Sequence, residues 1–254
     1  IAVGSVDPSY YSNFTRNFME LNTDIMLKSS NQFGDFSLNV LLGTNIRRNK
    51  VESILGETEG GLVVPGLYTI SNSQAPSVIT EQLQEWGTNS VYASVSLGWK
   101  SLLYLDLSDR YDVSSTLPEG DNGYNYYAAS LSFILTELNG LNDLNWLNYT
   151  KLRAGYAEVG NDAPVYSTIS TYTQNASWES NALFSVNSTL QNPTLKPERT
   201  KSYEFGLEAR MFKNRLAFDV TYYVANTFDQ IMPVLVSPSS GYTRIWVNGG
   251  EVVN

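Results

Sequence analysis

The chain has 254 residues and contains neither cysteine nor histidine. Disulfide frameworks, thiolate metal sites and cysteine nucleophiles are therefore excluded, as are a Ser-His-Asp triad, a histidine zinc site and a histidine proton shuttle. Lys and Arg total 16 against 25 Asp and Glu, so the formal charge is −9, which argues against a nucleic-acid-binding surface. The low charged fraction of 16% and the 17 tyrosines favour a β-rich protein.

Period-two alternation of apolar and polar residues recurs along the chain and is typical of strands with two different faces. The clearest case is 202–211, where Tyr203 and Phe205 alternate with Glu204 and Gly206. In chain order, the pattern predicts about eight strands, at residues 13–28, 36–42, 90–99, 103–110, 128–136, 151–156, 202–211 and 216–225.

The connections between these predicted strands alternate in length. Short connections are predicted at 29–34, 100–102, 138–148 and 212–215, and long ones at 48–88, 114–124, 160–200 and after Phe228. Short periplasmic turns and long extracellular loops are typical of an outer-membrane barrel, and the predicted strand lengths approach the ~9–11 residues that cross a bilayer. Alternation alone would fit a soluble β-sandwich or solenoid equally well.

Aromatic residues near the ends of the predicted strands give milder support to the barrel. They fit either interfacial girdles or cross-strand pairs. These residues are Trp99, Tyr104, Trp146, Tyr149, Tyr222 and Tyr223.

Two consecutive segments resemble a known family. Residues 192–200 have the sequence NPTLKPERT and residues 202–208 continue with SYEFGLE, while residues 212–223 have the sequence FKNRLAFDVTYY. These segments resemble, almost letter for letter, the NPxLKPE(K/R)TxSYExGL and FxNRLxxDxTYY segments of the SusC/RagA family of TonB-dependent outer-membrane transporters of the Bacteroidota. Weaker similarity covers most of residues 34–254, including Pro65-Gly66-Leu67-Tyr68 and Asp229-Gln230-Ile231.

The resemblance implies an all-β fold: an antiparallel transmembrane β-barrel of roughly 22 strands with a plugged lumen and long extracellular loops. About eight strands cannot close such a barrel, so we expect residues 1–254 to be part of the C-terminal β-barrel domain. The chain starts at Ile1 without a leader and ends on Val252, Val253 and Asn254. We therefore expect the plug domain, the TonB box and the last barrel strands to be absent from it.

The resemblance also implies a function and its partners. It predicts active import of oligosaccharides or peptides across the cell outer membrane, with a SusD-like surface lipoprotein as a lid and TonB acting through the missing N-terminal part. The barrel would contact outer-membrane lipid, and a dimer of transporter–lid pairs is compatible with the family. Such a protein requires no catalytic residue, no metal and no cofactor.

Aromatic residues in the predicted loops are the candidates for substrate binding. Aromatic faces stack on sugars or on apolar peptide side chains, although the same rings could simply pack within their own loops. The candidates are Tyr68, Trp86, Tyr166, Tyr172, Trp178, Tyr242 and Trp246.

Two other classes of function remain open from the residues alone. A secreted or surface β-rich module that binds glycans or peptides would bury its apolar faces in a core. An enzyme would depend on carboxylates in the predicted 48–88 loop; these are Glu57, Glu59, Glu81 and Glu85.

Two further acidic patterns suggest a cation site, but each has a simpler interpretation. Asp106, Asp109 and Asp112 recur every third residue, which resembles a calcium loop, but that spacing sends neighbouring side chains to opposite faces of a strand. We therefore favour polar lumen or rim residues. The Gly160-Asn161-Asp162 segment is predicted to be a turn.

Overall fold

A computed structural model describes residues 9–138, 140–141, 144 and 146–254 of the chain. These residues form 14 β-strands and three single-turn 3₁₀ helices, so the prediction of an all-β protein is confirmed. Within the described ranges, no helix is long and apolar enough to cross a membrane.

The strands are numbered in chain order. They are β1 (Ser12–Phe33), β2 (Phe36–Leu62), β3 (Ser73–Trp99), β4 (Leu103–Ser114), β5 (Gly123–Ile134), β6 (Leu147–Asn161), β7 (Tyr172–Trp178), β8 (Asn181–Val186), β9 (Thr189–Leu190), β10 (Glu198–Met211), β11 (Leu216–Phe228), β12 (Ile231–Leu235), β13 (Arg244–Asn248) and β14 (Glu251–Val253). The 3₁₀ turns are Ile70–Asn72, Leu135–Glu137 and Pro238–Ser240.

Nine strands form one sheet in the order β1-β2-β3-β4-β5-β6-β10-β11-β14. From β3 to β14, each neighbouring pair runs antiparallel in a defined register. Two small sheets, β12-β13-β9 and β7-β8, are built from the long connections. Of the predicted strands, eight correspond to members of the nine-stranded sheet, and its ninth member is β14 at the apolar residues Val252 and Val253.

The prediction of a long loop at 48–88 is wrong. Strand β2 continues to Leu62 and β3 begins at Ser73, so the connection between them covers only residues 63–72. The extended part of β2 breaks the alternation with the glycine pair Gly60 and Gly61, and the extended part of β3 contains Pro76. Glycine and proline both weaken a strand signal, which explains why the pattern gave no strand there.

The other connections follow the predicted alternation only in part. The connections after β1, β3 and β10 are short and those after β6 and β11 are long, but the predicted long β4–β5 connection covers residues 115–122 and is shorter than the predicted short β5–β6 connection at residues 135–146. The β3–β4 turn places Lys100 and Ser101 in the left-handed region, at φ 51° and 57°, as a type I′ hairpin turn requires. The long connections after β6 and β11 contain the strands of the two small sheets, which the sequence pattern did not predict.

The chain divides into two compact units. Unit 1 contains the residues up to 22 and those from 47 to 86, and unit 2 contains residues 23–46 and those from 87 onward. In unit 1, the amide of Tyr11 donates to Thr58 Oγ1 over 2.9 Å, and the amide of Thr58 donates back to the Tyr11 carbonyl over 3.0 Å. In unit 2, the buried apolar core is a small cluster of Leu117, Tyr124, Ala163 and Leu195.

Candidate functional site

The main sheet has two chemically different faces in unit 2. The register aligns like with like: Leu105 lies opposite Leu131, Leu131 opposite Ala154, and Ala154 opposite Phe205. These residues belong to an apolar face that is largely solvent-accessible in this chain, as the exposure of Leu131 and Phe205 shows. A sheet of this kind requires an apolar surrounding for one of its faces.

A row of tyrosines crosses the apolar face towards the end of the sheet that carries the long connections. The ring centroids of Tyr127 and Tyr156 are 5.6 Å apart, and those of Tyr156 and Tyr203 are 5.0 Å apart. We call these three residues the tyrosine row. Aromatic belts of this kind lie at the boundary between lipid and water, because each ring is apolar and its hydroxyl is polar. Sequence reasoning proposed other aromatics for such a girdle and missed this row.

The polar face carries an ion-pair cluster that spans three strands. Arg153 on β6 donates from Nε to Glu204 Oε1 on β10 over 3.2 Å. Its Nη2 and Nη1 atoms donate to the two carboxylate oxygens of Asp219 on β11 over 2.9 and 3.1 Å. Nη2 also donates to Thr221. Arg153 therefore crosses β10 to reach β11, in the bidentate geometry that favours arginine over lysine.

Gly206 makes this crossing possible. It lies directly opposite both Arg153 and Thr221 in the register. A Cβ atom at this position would lie 2.3 Å from Arg153 Nε and 2.6 Å from its Cγ. Any side chain at residue 206 would thus displace the guanidinium group from the surface of β10. The glycine of the SYEFGLE segment consequently has a steric role.

A second polar cluster lies nearer the long connections. Arg110 donates from Nε to Asp112 Oδ1 over 2.8 Å and from Nη2 to Ser90 Oγ over 2.7 Å. Tyr126 donates its hydroxyl to Asp112 Oδ2 over 2.7 Å, so both oxygens of this buried carboxylate are used. The Arg110 guanidinium also lies 5.4 Å from the centre of the Tyr92 ring.

A shallow depression of about 440 Å³ lies on the polar face. Asp106 and Glu204 contribute its charged lining. Its floor is formed by small residues, among them Ser94, Ser108, Ala128, Ser130, Gly155, Ala157 and Ser202. Because these side chains are short, the hydroxyl groups and the two carboxylates are accessible at the surface of the depression.

At the end of β6, a carboxylate joins several segments through hydroxyl groups. Ser114 Oγ donates to Asp162 Oδ2 over 2.9 Å, and the Tyr124 hydroxyl donates to Asp162 Oδ1 over 2.5 Å. Gly160 and Asn161 belong to strand β6, so the predicted turn at 160–162 is wrong. Thr88 Oγ1 on β3 also donates to Asp162 Oδ2 over 3.5 Å. The hydroxyl donors of Asp162 therefore come from β3, β4 and β5, and they attach the start of the long connection after β6 to those strands.

The NPTLKPER segment ties the two longest connections together, and we call this set of contacts the loop latch. The Asn248 side chain accepts from the Lys196 amide over 2.8 Å and donates to the Lys196 and Asp229 carbonyls over 2.7 and 2.9 Å. Asn192 donates to the Trp246 carbonyl over 3.0 Å. Asn192 and Lys196 of this segment therefore help to join residues 162–197 to residues 229–250.

Two further residues of the same segment complete the loop latch. Leu195 is fully buried in the core cluster, against which Ile231 and Trp246 also pack. Glu198 accepts from the Ile231 amide over 2.7 Å and from Asn161 over 3.0 Å. The latch thus combines a buried apolar anchor with directed hydrogen bonds, which makes one arrangement of the loops strongly preferred.

The structure separates the predicted substrate-binding aromatics. Tyr68 lies in the 63–72 connection, is 65% exposed and has its ring centre 6.3 Å from that of Tyr11. Trp86 lies within β3 instead of in a loop, partly covered and 6.4 Å from the Phe18 ring. Both belong to unit 1.

The remaining candidates lie on different segments of unit 2. Tyr172 and Trp178, on β7, are 73% and 68% exposed, and Tyr166 precedes that strand with a left-handed φ of 62°. Tyr242 is half-buried before β13, while Trp246 packs against the core cluster. Trp246 therefore has a packing role. In unit 2, the rings of Tyr172 and Trp178 are the most exposed of the candidates, and that of Tyr166 is 44% exposed.

The three aspartates that recur every third residue accept hydrogen bonds from different donors. Asp106 accepts from Ser130 over 3.4 Å, Asp109 from Asn125 over 3.3 Å, and Asp112 from Arg110 and Tyr126. In the part of the chain that the structure describes, no group of three His, Cys, Asp or Glu side chains could hold a metal ion. The four glutamates assigned to the 48–88 loop lie in β2 and β3, which corrects their placement.

Sequence reasoning missed the Arg153 cluster. Its charged members, Arg153, Glu204 and Asp219, occupy polar positions of the alternating pattern in three predicted strands. The pattern therefore predicted that each of them lies on a polar face, but not that they meet. It was insufficient because β6 and β10 are separated in the sequence by the long connection after β6, and their pairing was not predicted.

Comparison with known proteins gives a consistent result. A family model described as TonB dependent receptor-like, beta-barrel matches residues 3–254. TonB-dependent receptor P39 of Formosa agariphila is 32% identical over 168 residues, which is 65% of this chain and 16% of that protein. TonB-dependent receptor P26 of the same organism is 27% identical over 195 residues, covering 74% of this chain and 20% of that protein.

Among solved structures, the RagAB peptide transporter superposes with a TM-score of 0.80 at 24% identity. The superposition covers 95% of this chain and 27% of that chain, and it shows a common fold. The chain thus spans only about a sixth to a quarter of the length of these matched proteins.

Proposed function

The chain belongs to the TonB-dependent receptor-like β-barrel family, and from that premise we propose that the full-length protein actively imports oligosaccharides or peptides across the outer membrane. The family lies in the outer membrane, and this chain is part of its barrel wall. The two-faced sheet is the observation on which the proposal mainly rests. In this account the apolar face contacts lipid and the polar face lines the path of the substrate.

The distribution of apolar residues supports this assignment over a surface binding module. A β-sandwich would cover the row of Leu105, Leu131 and Phe205 with a second sheet. In the described residues, Leu131 and Phe205 are instead exposed, and the buried apolar residues are Val51, Leu117, Tyr124, Ala163, Leu195 and Ala209. A wall of this composition is stable when lipid replaces the missing apolar partner.

The polar face fits a route for polar molecules. The depression beside Asp106 and Glu204 and the two arginine clusters present charged and hydroxyl groups along this face. A substrate that moves along such a wall exchanges weak contacts and is not held by one tight site. The matched relatives are named receptors, and no catalytic role is part of this proposal.

We propose that the long connections face the cell exterior and support a SusD-like lipoprotein lid. The loop latch supports this idea because it holds residues 162–197 and 229–250 in one arrangement. The exposed rings of Tyr172 and Trp178 in unit 2 would then contact sugar rings or apolar peptide side chains. The exposed ring of Tyr68 is a separate candidate in unit 1.

We further propose that this chain is part of a C-terminal barrel domain and that the plug and the segment that engages TonB lie elsewhere in the full protein. The much greater length of the relatives supports this division. A dimer of transporter–lid pairs is compatible with it.

Deletion of the gene in the native organism tests the proposal. The deletion strain is compared with the wild type, and with a complemented strain, for uptake of defined oligosaccharide and peptide mixtures. We expect loss of uptake of one class and recovery on complementation. Uptake of both classes at the wild-type rate would contradict the import function.

Affinity purification of the tagged full-length protein from outer membranes in mild detergent tests the partners separately. We expect a surface lipoprotein to co-purify in stoichiometric amount. Recovery of the transporter without a lipoprotein, from the membranes of cells that import the substrate, would contradict the lid.

A further inference from the structure

We propose that Asn248, the central side chain of the loop latch, is a deamidation site that is blocked while the latch is closed and reacts when the latch opens. The modified residue no longer fits the closed latch, so the reaction makes the opening permanent. This inference concerns the covalent chemistry of the latch and goes beyond the proposed import function.

The sequence after Asn248 favours this reaction. Gly249 and Gly250 follow it, and a glycine has no side chain to hinder attack by its own backbone nitrogen. The Gly249 nitrogen attacks the side-chain amide carbon of Asn248, and the new C–N bond closes a succinimide ring. The side-chain nitrogen leaves as ammonia and takes the Gly249 amide proton with it. Water then opens the ring at either carbonyl and leaves an aspartyl or an isoaspartyl residue.

Three features of the closed latch block the attack. The Gly249 amide donates to the Gln230 carbonyl over 2.8 Å, so the attacking nitrogen is held by a hydrogen bond. The Asn248 side chain is fixed by its hydrogen bonds to Lys196 and Asp229. Asn248 is also the last residue of β13, and the extended backbone of a strand, with ψ at ~+135°, turns the following nitrogen away from the side-chain carbon.

Opening of the latch removes this protection. It breaks both hydrogen bonds between Asn248 and Lys196. It also separates Leu195 from Ile231 and Trp246, which pack against the same core cluster. Strand β9 lies in the same connection as Lys196, so the β12–β13 pair is left without its third strand. An isolated two-stranded hairpin is at best marginally stable in water, and the Asn-Gly pair at its end can then adopt the conformation that closes the ring.

The product does not fit the closed latch. Asn248 is partly buried, and its Nδ2 atom donates to the carbonyl oxygens of Lys196 and Asp229 over 2.7 and 2.9 Å. A carboxylate has no proton to donate, so it would place a negative charge against two carbonyl oxygens. Only the hydrogen bond from the Lys196 amide could form again. Deamidation therefore keeps the latch open.

The test measures the deamidation rate of Asn248 by mass spectrometry in the full-length protein, purified from outer membranes in mild detergent. Incubation in water enriched in heavy oxygen labels the residue as the ring opens, which separates this reaction from deamidation before the incubation. A synthetic peptide with the sequence of residues 244–252 gives the rate without the latch. We expect the folded protein to react at least about tenfold more slowly than the peptide, because three hydrogen bonds must break first.

Two variants weaken the latch at different points. Leu195→Ala removes the buried anchor and is expected to raise the rate at least about tenfold, towards that of the peptide. Asn192→Ala removes the hydrogen bond to the Trp246 carbonyl and should raise it about two- to tenfold. Leu183→Ala, at an exposed position of β8, is the matched control and should leave the rate unchanged. Equal rates in all three variants, or a folded wild type that reacts as fast as the peptide, would overturn the proposal.

Asn248→Asp tests whether the product keeps the latch open. In the full-length variant, proteolytic cleavage within residues 162–197 should be faster than in the wild type and as fast as in Asn248→Ala. Cleavage of Asn248→Asp at the wild-type rate would contradict a permanent opening. Both measurements are made without transport, so a failed import assay leaves their result unaffected.

Discussion

Gly206 shows how a single residue without a side chain supports the polar face. The hydrogen bonds of Arg153 to Glu204 and Asp219 pass over it, and a Cβ atom would lie 2.3 Å from Arg153 Nε. Exposed ion pairs contribute little to stability individually, so we attribute to this cluster mainly the alignment of three strands.

Gly206→Ala is expected to lower the free energy of unfolding by about 1–3 kcal/mol, because the added methyl group forces the arginine out of its position. Gly155→Ala provides the control, since a Cβ atom at residue 155 would meet only the Glu204 Cβ at 3.9 Å. Thermal unfolding of the two full-length variants in the same detergent measures the difference. Equal destabilisation by both substitutions would show that the steric argument is wrong.

Leu195 is the apolar anchor of the loop latch and is fully buried. We expect Leu195→Ala to destabilise the latched loops by about 2–5 kcal/mol, since it leaves a cavity beside Tyr124 and Ala163. Faster proteolytic cleavage within residues 162–197 of the full-length protein would report this loss. Leu183→Ala, at a position that is 44% exposed on β8, should leave the cleavage rate nearly unchanged.

At the scale of elements, the loop latch gives a structural role to the NPTLKPER segment, whose role could not be inferred from the sequence. The NPTLKPER letters identified a family, and the two prolines indicated a stiff lead-in to β10. The contacts with Asn248 and Ile231 could not be derived, because they join segments separated by 52 and 33 residues.

Removing the Asn248 side chain tests the latch as a unit. Asn248→Ala deletes three hydrogen bonds, of which each contributes about 0.5–1.5 kcal/mol, so amides in β9 and β13 should exchange at least tenfold faster. Hydrogen exchange of the full-length protein measures this. Asn125→Ala, which loses a single exposed contact with Asp109, should alter only its own surroundings. Unchanged exchange in Asn248→Ala would mean that the two connections are held together by other contacts.

The predictability of the strands depends on whether their two faces differ. One end of each of the strands β4, β10 and β11 was predicted correctly and the other to within three or four residues, since apolar and polar residues alternate over most of their length. Strands β2 and β3 are 27 residues long, more than twice the ~9–11 residues that cross a bilayer. Beyond the bilayer neither face requires apolar residues, so the alternation ends although the strand continues.

At the scale of the whole molecule, the apolar face and the polar face together define the proposed role. The family and the fold could be predicted from the sequence because one segment is specific and the period-two pattern is regular. The aromatic binding site stays a prediction, but the placement of its residues could not be predicted: Trp86 lies in a strand and Trp246 packs against the core cluster. Exposure of a ring depends on tertiary contacts, which composition and spacing do not contain.

The most direct test of the central claim is the accessibility of two neighbouring residues on β5, Ser130 on the polar face and Leu131 on the apolar face. This chain contains no cysteine, so Ser130→Cys and Leu131→Cys each introduce one into it. Any cysteine elsewhere in the full-length protein is first replaced. In native outer membranes, we predict that a small water-soluble thiol reagent modifies Ser130→Cys, whereas Leu131→Cys reacts only after solubilisation. Rapid modification of Leu131→Cys in intact membranes would contradict a wall whose apolar face contacts lipid.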